Sequence, residues 1–228
     1  MRKGQLGSEY SNGIQSYNYF AFSQTSLEKV RVVILGDSPS PSCISLGYAF
    51  GTAFKPSRSL LTICECIERE YKGVTLEPTG QLDGWIERGV LLMNANIIDN
   101  SEDTKKYQAL IHAILRGVSR RNNNIVYLLF GGQAKTAFYN GCTMVHPNNV
   151  FEMYHPNAKR YANDSSSVAN FEREFYEKEP FSNANVRLEA MYGRDSVIYW
   201  EYMTNLDVSD EESSDDEDPW EGCHFHDD

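Results

Sequence analysis

The sequence predicts an α/β protein with three layers, in which helices cover both faces of a central, mainly parallel four-stranded sheet. Four short apolar runs, each the length of one strand, have too few polar residues for either face to meet water. Segments with helical spacing of apolar residues separate these runs along the chain. Alternation of buried strands with helices is typical of a parallel sheet.

The strands are predicted where apolar and β-branched residues cluster. These runs occupy residues 30–35, 89–94, 125–130 and 150–154. The first is followed by Gly36 and the third by Gly131 and Gly132, which favour a turn directly after the strand. Because ligands of such folds bind at the carboxyl ends of the strands, the four loops that follow them are the candidate site.

Three helices are predicted from apolar periodicity and capping residues. The first covers residues 59–71, with Ser59 as its expected N-cap. The second covers residues 102–121, where the apolar side chains fall on one face: Tyr107, Leu110, Ile111, Ile114, Leu115 and Val118. The third covers about residues 183–192.

The negative charge of the chain is concentrated at its end. The formal net charge is −11, and residues 207–228 hold eleven acidic residues but no Lys or Arg, which leaves 21 acidic and 21 basic residues before them. We therefore expect an irregular lead-in over residues 1–28, one domain over 29–205 and a disordered acidic tail over 206–228. This charge does not exclude a nucleic-acid site on the body.

Composition also limits the class of protein. The apolar content of 41 % is enough for a core, and the longest apolar runs are strand-sized rather than the roughly 20 residues that cross a bilayer. The first residues lack the apolar stretch of a signal peptide, so we expect an intracellular protein. Five cysteines without a CxxC pair favour neither a zinc site nor any other metal, and no cofactor is expected.

Each predicted strand is followed by small or polar residues. The first loop reads GDSPSPS over residues 36–42, and two prolines stiffen it. Asn94 offers a donor and an acceptor side by side, as a base edge requires, and His155 follows the last strand. Taken singly, each feature favours an ordinary structural role: an Asn that ends a strand, a glycine turn, a structural His.

The order and spacing of these segments resemble the uracil-DNA glycosylases of the bacterial, eukaryotic and herpesvirus type. VVILGDSPSPS at residues 32–42 resembles the water-activating VVILGQDPYH of the family, and LDGWIERGVLLMNANI at 82–97 resembles LxGWAxxGVLLLNxxLT. Shorter matches follow the same order: GYAF at 47–50 with GLxF, KPSRSLLTI at 55–63 with PPSLxNI, YLLFGGQA at 127–134 with FLLWGxxA, and HPNAKR at 155–160 with HPSPLS. The resemblance spans roughly residues 18–203.

This resemblance implies a role for most of the loop residues. Excision of uracil requires extrusion of the nucleotide, recognition of the base and stabilisation of developing charge. By resemblance Phe50 stacks on uracil, Asn94 reads its edge and His155 donates a hydrogen bond to its O2. The residues implied at the DNA backbone and minor groove are Ser59, Gly131, Gly132, Asn157, Lys159 and Arg160.

The first loop departs from the family pattern. Ser38 stands where the family has its water-orienting Asp, and Asp37 lies one residue earlier, at the Gln position. Ser40 replaces the Tyr that bars the methyl group of thymine, and Lys159 replaces the Leu that wedges into the base stack. A Ser hydroxyl orients water but carries no charge to stabilise an oxocarbenium ion.

Two interpretations stay open at this point. In the first, the protein is a glycosylase of uracil-containing DNA, single- or double-stranded, in which Asp37 substitutes for the missing Asp, as in distant branches of the superfamily. In the second, it is a DNA-binding or replication-complex scaffold that has lost the chemistry. Retention of Phe50, Asn94 and His155 favours the first. The motifs look most like herpesvirus members, which implies the host nucleus and a replication protein bound through the acidic tail.

Overall fold

The sheet has four strands, all parallel. The computed structural model describes residues 25–39, 45–96 and 101–204. The strands are β1 (Val32–Gly36), β2 (Val90–Asn94), β3 (Val126–Phe130) and β4 (Val150–Met153), in the order β2-β1-β3-β4. Gly36 lies opposite Asn94, and Phe130 lies opposite Met153. The carboxyl ends of all four strands therefore meet at one edge of the sheet.

Helices connect the strands and cover both faces. They are α1 (Arg58–Glu70), α2 (Asp83–Glu87), α3 (Ser101–Arg121), α4 (Gly132–Gly141), α5 (Ser165–Phe171) and α6 (Pro180–Tyr192). Short 3₁₀ helices cover Pro147–Asn149, Pro156–Tyr161 and Arg194–Ser196, and a π-helical turn covers Glu172–Tyr176.

Two apolar layers sandwich the sheet. In β1, Val32 and Ile34 pack in the layer that includes α1, α2 and α6, whereas Val33 and Leu35 pack in the layer of α3 and α4. Alternate residues of a strand point to opposite faces, so a strand buried on both sides must be apolar at every position. This confirms the predicted α/β fold of three layers.

An aromatic cluster fixes the segment that leads into β2. The Trp85 indole N–H donates to the Trp200 carbonyl oxygen at 2.9 Å, and the Trp200 indole N–H donates to the Phe181 carbonyl oxygen at 3.2 Å. Both indoles are fully buried with their polar group satisfied. A Cβ on Gly84 would lie 2.2 Å from the Tyr202 carbonyl oxygen, so only glycine fits there. The cluster thereby positions β2 and Asn94 at its end.

The structure corrects several details of the sequence prediction. Ser59 does not cap α1: the Ser57 side chain accepts the Leu60 N–H at 3.1 Å, and Ser59 lies in the first turn. Two serines two residues apart both qualify as N-caps, and Ser57 has the extended backbone that a cap needs. Helix α6 begins at Pro180 rather than near 183, and α2, α4 and α5 were not predicted.

The expected lead-in and acidic tail fall almost entirely outside the described residues, so these boundaries stay predictions. Within the described ranges, no helix is long and apolar enough to cross a membrane.

Candidate active site

The end of β1 brings the two predicted base-binding residues together. A Cβ built on Gly36 would lie 3.1 Å from both Asn94 Oδ1 and Phe50 Cζ. Glycine is thus the residue that lets the Asn94 amide and the Phe50 ring approach each other across the strand end. The structure thus brings Asn94 and Phe50 together, and contact of either with a base stays a prediction.

The Phe50 backbone is strained. Its φ angle is +65°, in the left-handed region that bulky residues rarely adopt. A tight turn holds it there, in which Leu46 N–H donates to the Gly51 carbonyl at 3.2 Å. The Phe50 ring meets Phe130 edge-on at 5.5 Å and lies 6.4 Å from the His155 ring, centroid to centroid. Strain of this kind is concentrated at binding sites, where the fold holds a side chain in place.

Asn94 presents an unengaged amide. The residue is 7 % exposed, yet within the described part of the chain no group donates to or accepts from its side chain. The donor and acceptor of Asn94 are therefore available to a base.

His155 is held as a neutral hydrogen-bond donor. Its Nδ1 accepts the Asn157 backbone N–H at 3.1 Å, so the proton of the neutral ring resides on Nε2. Burial lowers the pKa of His155 below its usual 6.5, although the negative charge of Asp37 opposes that shift. At neutral pH the ring is uncharged and Nε2–H is free to donate.

Asp37 is placed against α4. Its Oδ1 accepts the Ala134 N–H at 3.0 Å, so the carboxylate caps a helix whose own N-cap residue, Gly131, has no side chain to do so. A Cβ on Gly131 would lie 2.6 Å from the Asp37 oxygens, and Gly131 has a φ of +104°. The partial positive charge of the helix N-terminus stabilises the carboxylate.

A cleft opens beside these groups. Its lining includes Ser38, Phe50, Ser57, Ser59 and His155. Ser38 is exposed on its wall, whereas Asp37 is turned toward α4. Ser40, the predicted determinant of thymine exclusion, lies outside the described residues.

Two helix N-termini flank the strand ends. Helix α1 begins beside Ser59, which lines the cleft, and α4 begins at Gly132 directly after Gly131. Unpaired N–H groups and the helix dipole make such termini suited to phosphate. The structure thus places three of the predicted DNA-backbone residues at the same edge as the base-binding pair.

The loop after His155 is tied to α1. The Lys159 ammonium forms an ion pair with Glu65 and donates to the Tyr176 hydroxyl at 3.1 Å. Burial raises the pKa of Glu65, but the bonds from Lys159 and Tyr176 outweigh it and leave that pKa lowered. Sequence reasoning missed this cluster because Glu65 and Lys159 lie 94 residues apart.

Arg160 is exposed and forms no ion pair with a described residue. Contact of DNA with Asn157, Lys159 and Arg160 stays a prediction. Among the described side chains, no three His, Cys, Asp or Glu come together as a metal site would require.

Comparison with known proteins identifies relatives that are uracil-DNA glycosylases. The chain is 29 % identical over 143 residues to a uracil-DNA glycosylase of Dichelobacter nodosus, covering 56 % of this chain and 62 % of that protein. It is 32 % identical over 122 residues to the uracil-DNA glycosylase of bovine herpesvirus 1.1, covering 49 % of this chain and 58 % of that protein. The chain thus matches less than two thirds of the length of these relatives.

Solved structures share the fold. The crystal structure of mimivirus uracil-DNA glycosylase superposes with a TM-score of 0.61 at 17 % identity, covering 81 % of this chain and 72 % of that one. The Y322F variant of the same enzyme in complex with UGI gives 0.62 at 18 % identity, covering 80 % and 73 %.

A family model described as the uracil DNA glycosylase superfamily matches residues 22–192. That stretch is most of the chain, and it contains the four strands and six helices of the described residues as well as every predicted site residue. The chain belongs to the uracil DNA glycosylase superfamily.

Proposed function

We propose that this protein hydrolyses the N-glycosidic bond of uracil in DNA, the first step of base excision repair. The proposal rests on the protonation and hydrogen bonding of the His155 ring. It is a partly buried, neutral ring whose Nδ1 is occupied by the Asn157 N–H, so Nε2–H is its one donor. Such a donor stabilises negative charge as it develops on a leaving base.

Recognition of the base falls to Phe50 and Asn94. An extruded uracil stacks on the Phe50 ring, and the Asn94 amide donates to its O4 and accepts from its N3–H. Both groups lie within contact distance of Gly36, so they act on one bound ring. Thymine has the same edge, which means that Asn94 alone does not exclude it.

The reaction breaks the bond between C1′ of the sugar and N1 of uracil. The electron pair leaves with the base, and the resulting charge on O2 is stabilised by the His155 Nε2–H. Water adds to the cationic C1′, and its proton passes to a carboxylate or to solvent. Base and sugar charges develop together, so the site needs both a donor and an anion.

Asp37 is our candidate for that anion. Its carboxylate lies close enough to His155 for its charge to raise the pKa of that ring, and it sits at the edge where the base binds. Ser38, on the cleft wall, is placed to orient the water. Ser59 and the N-terminus of α1 hold the flanking phosphates, together with Gly131, Gly132, Asn157 and Arg160.

The acidic tail has a separate role in this proposal. Its eleven acidic residues suit a basic partner, and we propose a replication protein in the host nucleus, since herpesvirus proteins are among the relatives.

The direct test is release of free uracil from a single-stranded oligonucleotide by the full chain. We expect slow release of uracil and a weakened rejection of the matching thymine oligonucleotide, because Ser40 replaces the Tyr that bars the thymine methyl group. Release should be faster for Ser38→Asp, with Asp37→Gln added to relieve crowding of two like charges. If neither wild type nor restored variant releases uracil while both bind DNA, the protein is a scaffold.

A further inference from the structure

One aromatic side chain on the cleft rim is unused by the proposed chemistry. Phe54 is 80 % exposed, more than any other large hydrophobic side chain in the described part of the chain. It lies between Thr52 and Ser57, which are both buried and both line the cleft. Phe54 therefore lies close along the chain to a cleft-lining residue on either side.

The turn that presents Phe54 is fixed by hydrogen bonds. The Thr52 N–H donates to the Gly80 carbonyl at 2.8 Å, and the Thr52 hydroxyl donates to the Lys55 carbonyl at 2.5 Å. Ser57 then caps α1 through the Leu60 N–H. A ring held outward by an ordered backbone loses little conformational freedom when a ligand covers it.

Positive charge accompanies this ring. Lys55 and Arg58 are exposed, and neither forms an ion pair with another described residue. The 3₁₀ segment that follows the cleft-lining His155 repeats the combination, because Tyr161 is 68 % exposed next to exposed Arg160. Aromatic faces beside unpaired cations are the means by which proteins bind single-stranded nucleic acid: bases stack on the rings and phosphates meet the cations.

The segment Pro156–Tyr161 does not favour binding of double-stranded DNA. Lys159, at the position where the resemblance implied an apolar wedge, is engaged with Glu65 and Tyr176. Extrusion of a base costs several kcal/mol in a duplex and least in a strand that is already unpaired.

From these observations we infer that Phe54 forms a stacking subsite for a nucleobase that flanks the extruded nucleotide in single-stranded DNA. The inference rests on the proposed function for its ligand, DNA, but not for any chemical step. It deepens that function by naming the preferred form of the substrate.

The test is equilibrium binding of the full chain, followed by fluorescence anisotropy, to two labelled single strands that contain no uracil. One carries thymine throughout, and the other carries abasic spacers on the same number of phosphates. Phe54→Ala should weaken binding of the thymine strand roughly tenfold and leave the abasic strand unchanged. Phe54→Trp should bind the thymine strand at least as tightly as wild type.

Tyr139→Ala is the matched control, because Tyr139 is also exposed, at 63 %, but lies toward the far end of α4. It should bind both strands as wild type does. An unchanged melting temperature of Phe54→Ala shows that an exposed ring was removed without damage to the fold.

Three results would overturn the subsite: equal binding by Phe54→Ala and wild type, an equal loss with thymine and abasic strands, or no binding of either strand by wild type. Each of these three binding results is independent of the assay for uracil release. If uracil is not released but the base-dependent loss is seen, the proposed reaction fails and the subsite stands.

Discussion

The loop after β1 departs further from the family pattern than the loops after the other three strands do. The other three keep the residues that the resemblance requires, Asn94, Gly131 and His155, each at a strand end fixed by the register of the sheet. The loop after β1 instead has Asp37 turned toward α4 and Ser38 on the cleft wall. Adjacent side chains of an extended segment point in different directions, so an acid moved by one residue acquires a different neighbour. Base recognition and catalytic charge thus depend on different loops, which can change separately.

Loss of the His155 donor should have the largest effect among the retained loops. His155→Ala removes the group that stabilises charge on the leaving base, and we expect the single-turnover rate of uracil release to fall about 10²–10³-fold. His146→Ala is the matched control, because the exposed His146 accepts the Asn148 N–H through Nδ1 in the same way but lies before β4 rather than after it. Comparable rates for His155→Ala and wild type would remove His155 from the mechanism.

The same residue predicts a pH dependence. Because burial lowers the pKa of His155, the neutral donor should persist through pH 7 and be lost only as the pH falls below that lowered pKa. Folding stability should decline before that, as the pH falls from the unfolded pKa of 6.5 to the lowered folded pKa, since the unfolded chain takes up the proton first. In an NMR titration of the ring protons, Asp37→Asn should have a lower His155 pKa than wild type, because the Asp37 charge is what raises this pKa.

Asn94→Asp should rank below loss of His155 in its effect on the rate. The substitution replaces an amide donor with a second acceptor, so it loses the bond to uracil O4 and repels that oxygen. A mismatched edge of this kind costs about 1–3 kcal/mol, or roughly ten- to hundredfold in the efficiency of uracil release. Steady-state kinetics with single-stranded uracil DNA measure it, and Asn94→Asp with wild-type kinetics would show that another residue reads the base.

Gly131→Ala tests whether the two kinds of loop are coupled. A Cβ there would lie 2.6 Å from the Asp37 oxygens and occupy a φ of +104°, so we expect a loss of about 1–3 kcal/mol in the free energy of unfolding. Uracil release should fall with it as Asp37 is displaced. Gly132→Ala is the control, since nothing lies within 4 Å of a Cβ at that position. Equal melting temperatures for the two variants would contradict the packing of Asp37 over Gly131.

Glu70 lies away from the cleft, and Glu70→Gln should have the smallest effect, which is on the pH dependence of the free energy of unfolding. Burial raises the pKa of Glu70 to about 7, so its contribution to stability is present below its unfolded pKa of 4.5 and is lost as the pH rises through about 7. Wild type should lose on the order of 1 kcal/mol of unfolding free energy between pH 6 and 8 that Glu70→Gln does not lose. Exposed Glu177→Gln is the control in urea denaturation. Parallel curves for all three proteins would exclude this titration.

Local patterns predicted the sheet and singled out Asn94, whereas the role expected of Phe50 came from the family resemblance. Neither predicted the contacts between distant segments. Strands β1 to β3 lie within two residues of their predicted bounds, because apolar runs buried on both faces leave little choice. Helix α4 was missed because it begins at glycine and takes its cap from Asp37, 97 residues away from Ala134. The ion pair of Lys159 with Glu65 is likewise a long-range contact. Tertiary contacts of this kind leave no periodic signal in a sequence.

The role of Asp37 is tested most directly by comparing Asp37→Asn with Asp37→Ala. An Asn oxygen still accepts the Ala134 N–H, so Asp37→Asn removes the charge and keeps the cap, whereas Asp37→Ala loses both and about 1 kcal/mol of stability. We predict that Asp37→Asn melts and binds uracil-containing single-stranded DNA like wild type but releases no uracil in single-turnover assays. Release by Asp37→Asn at the wild-type rate would contradict the claim that Asp37 supplies the catalytic charge.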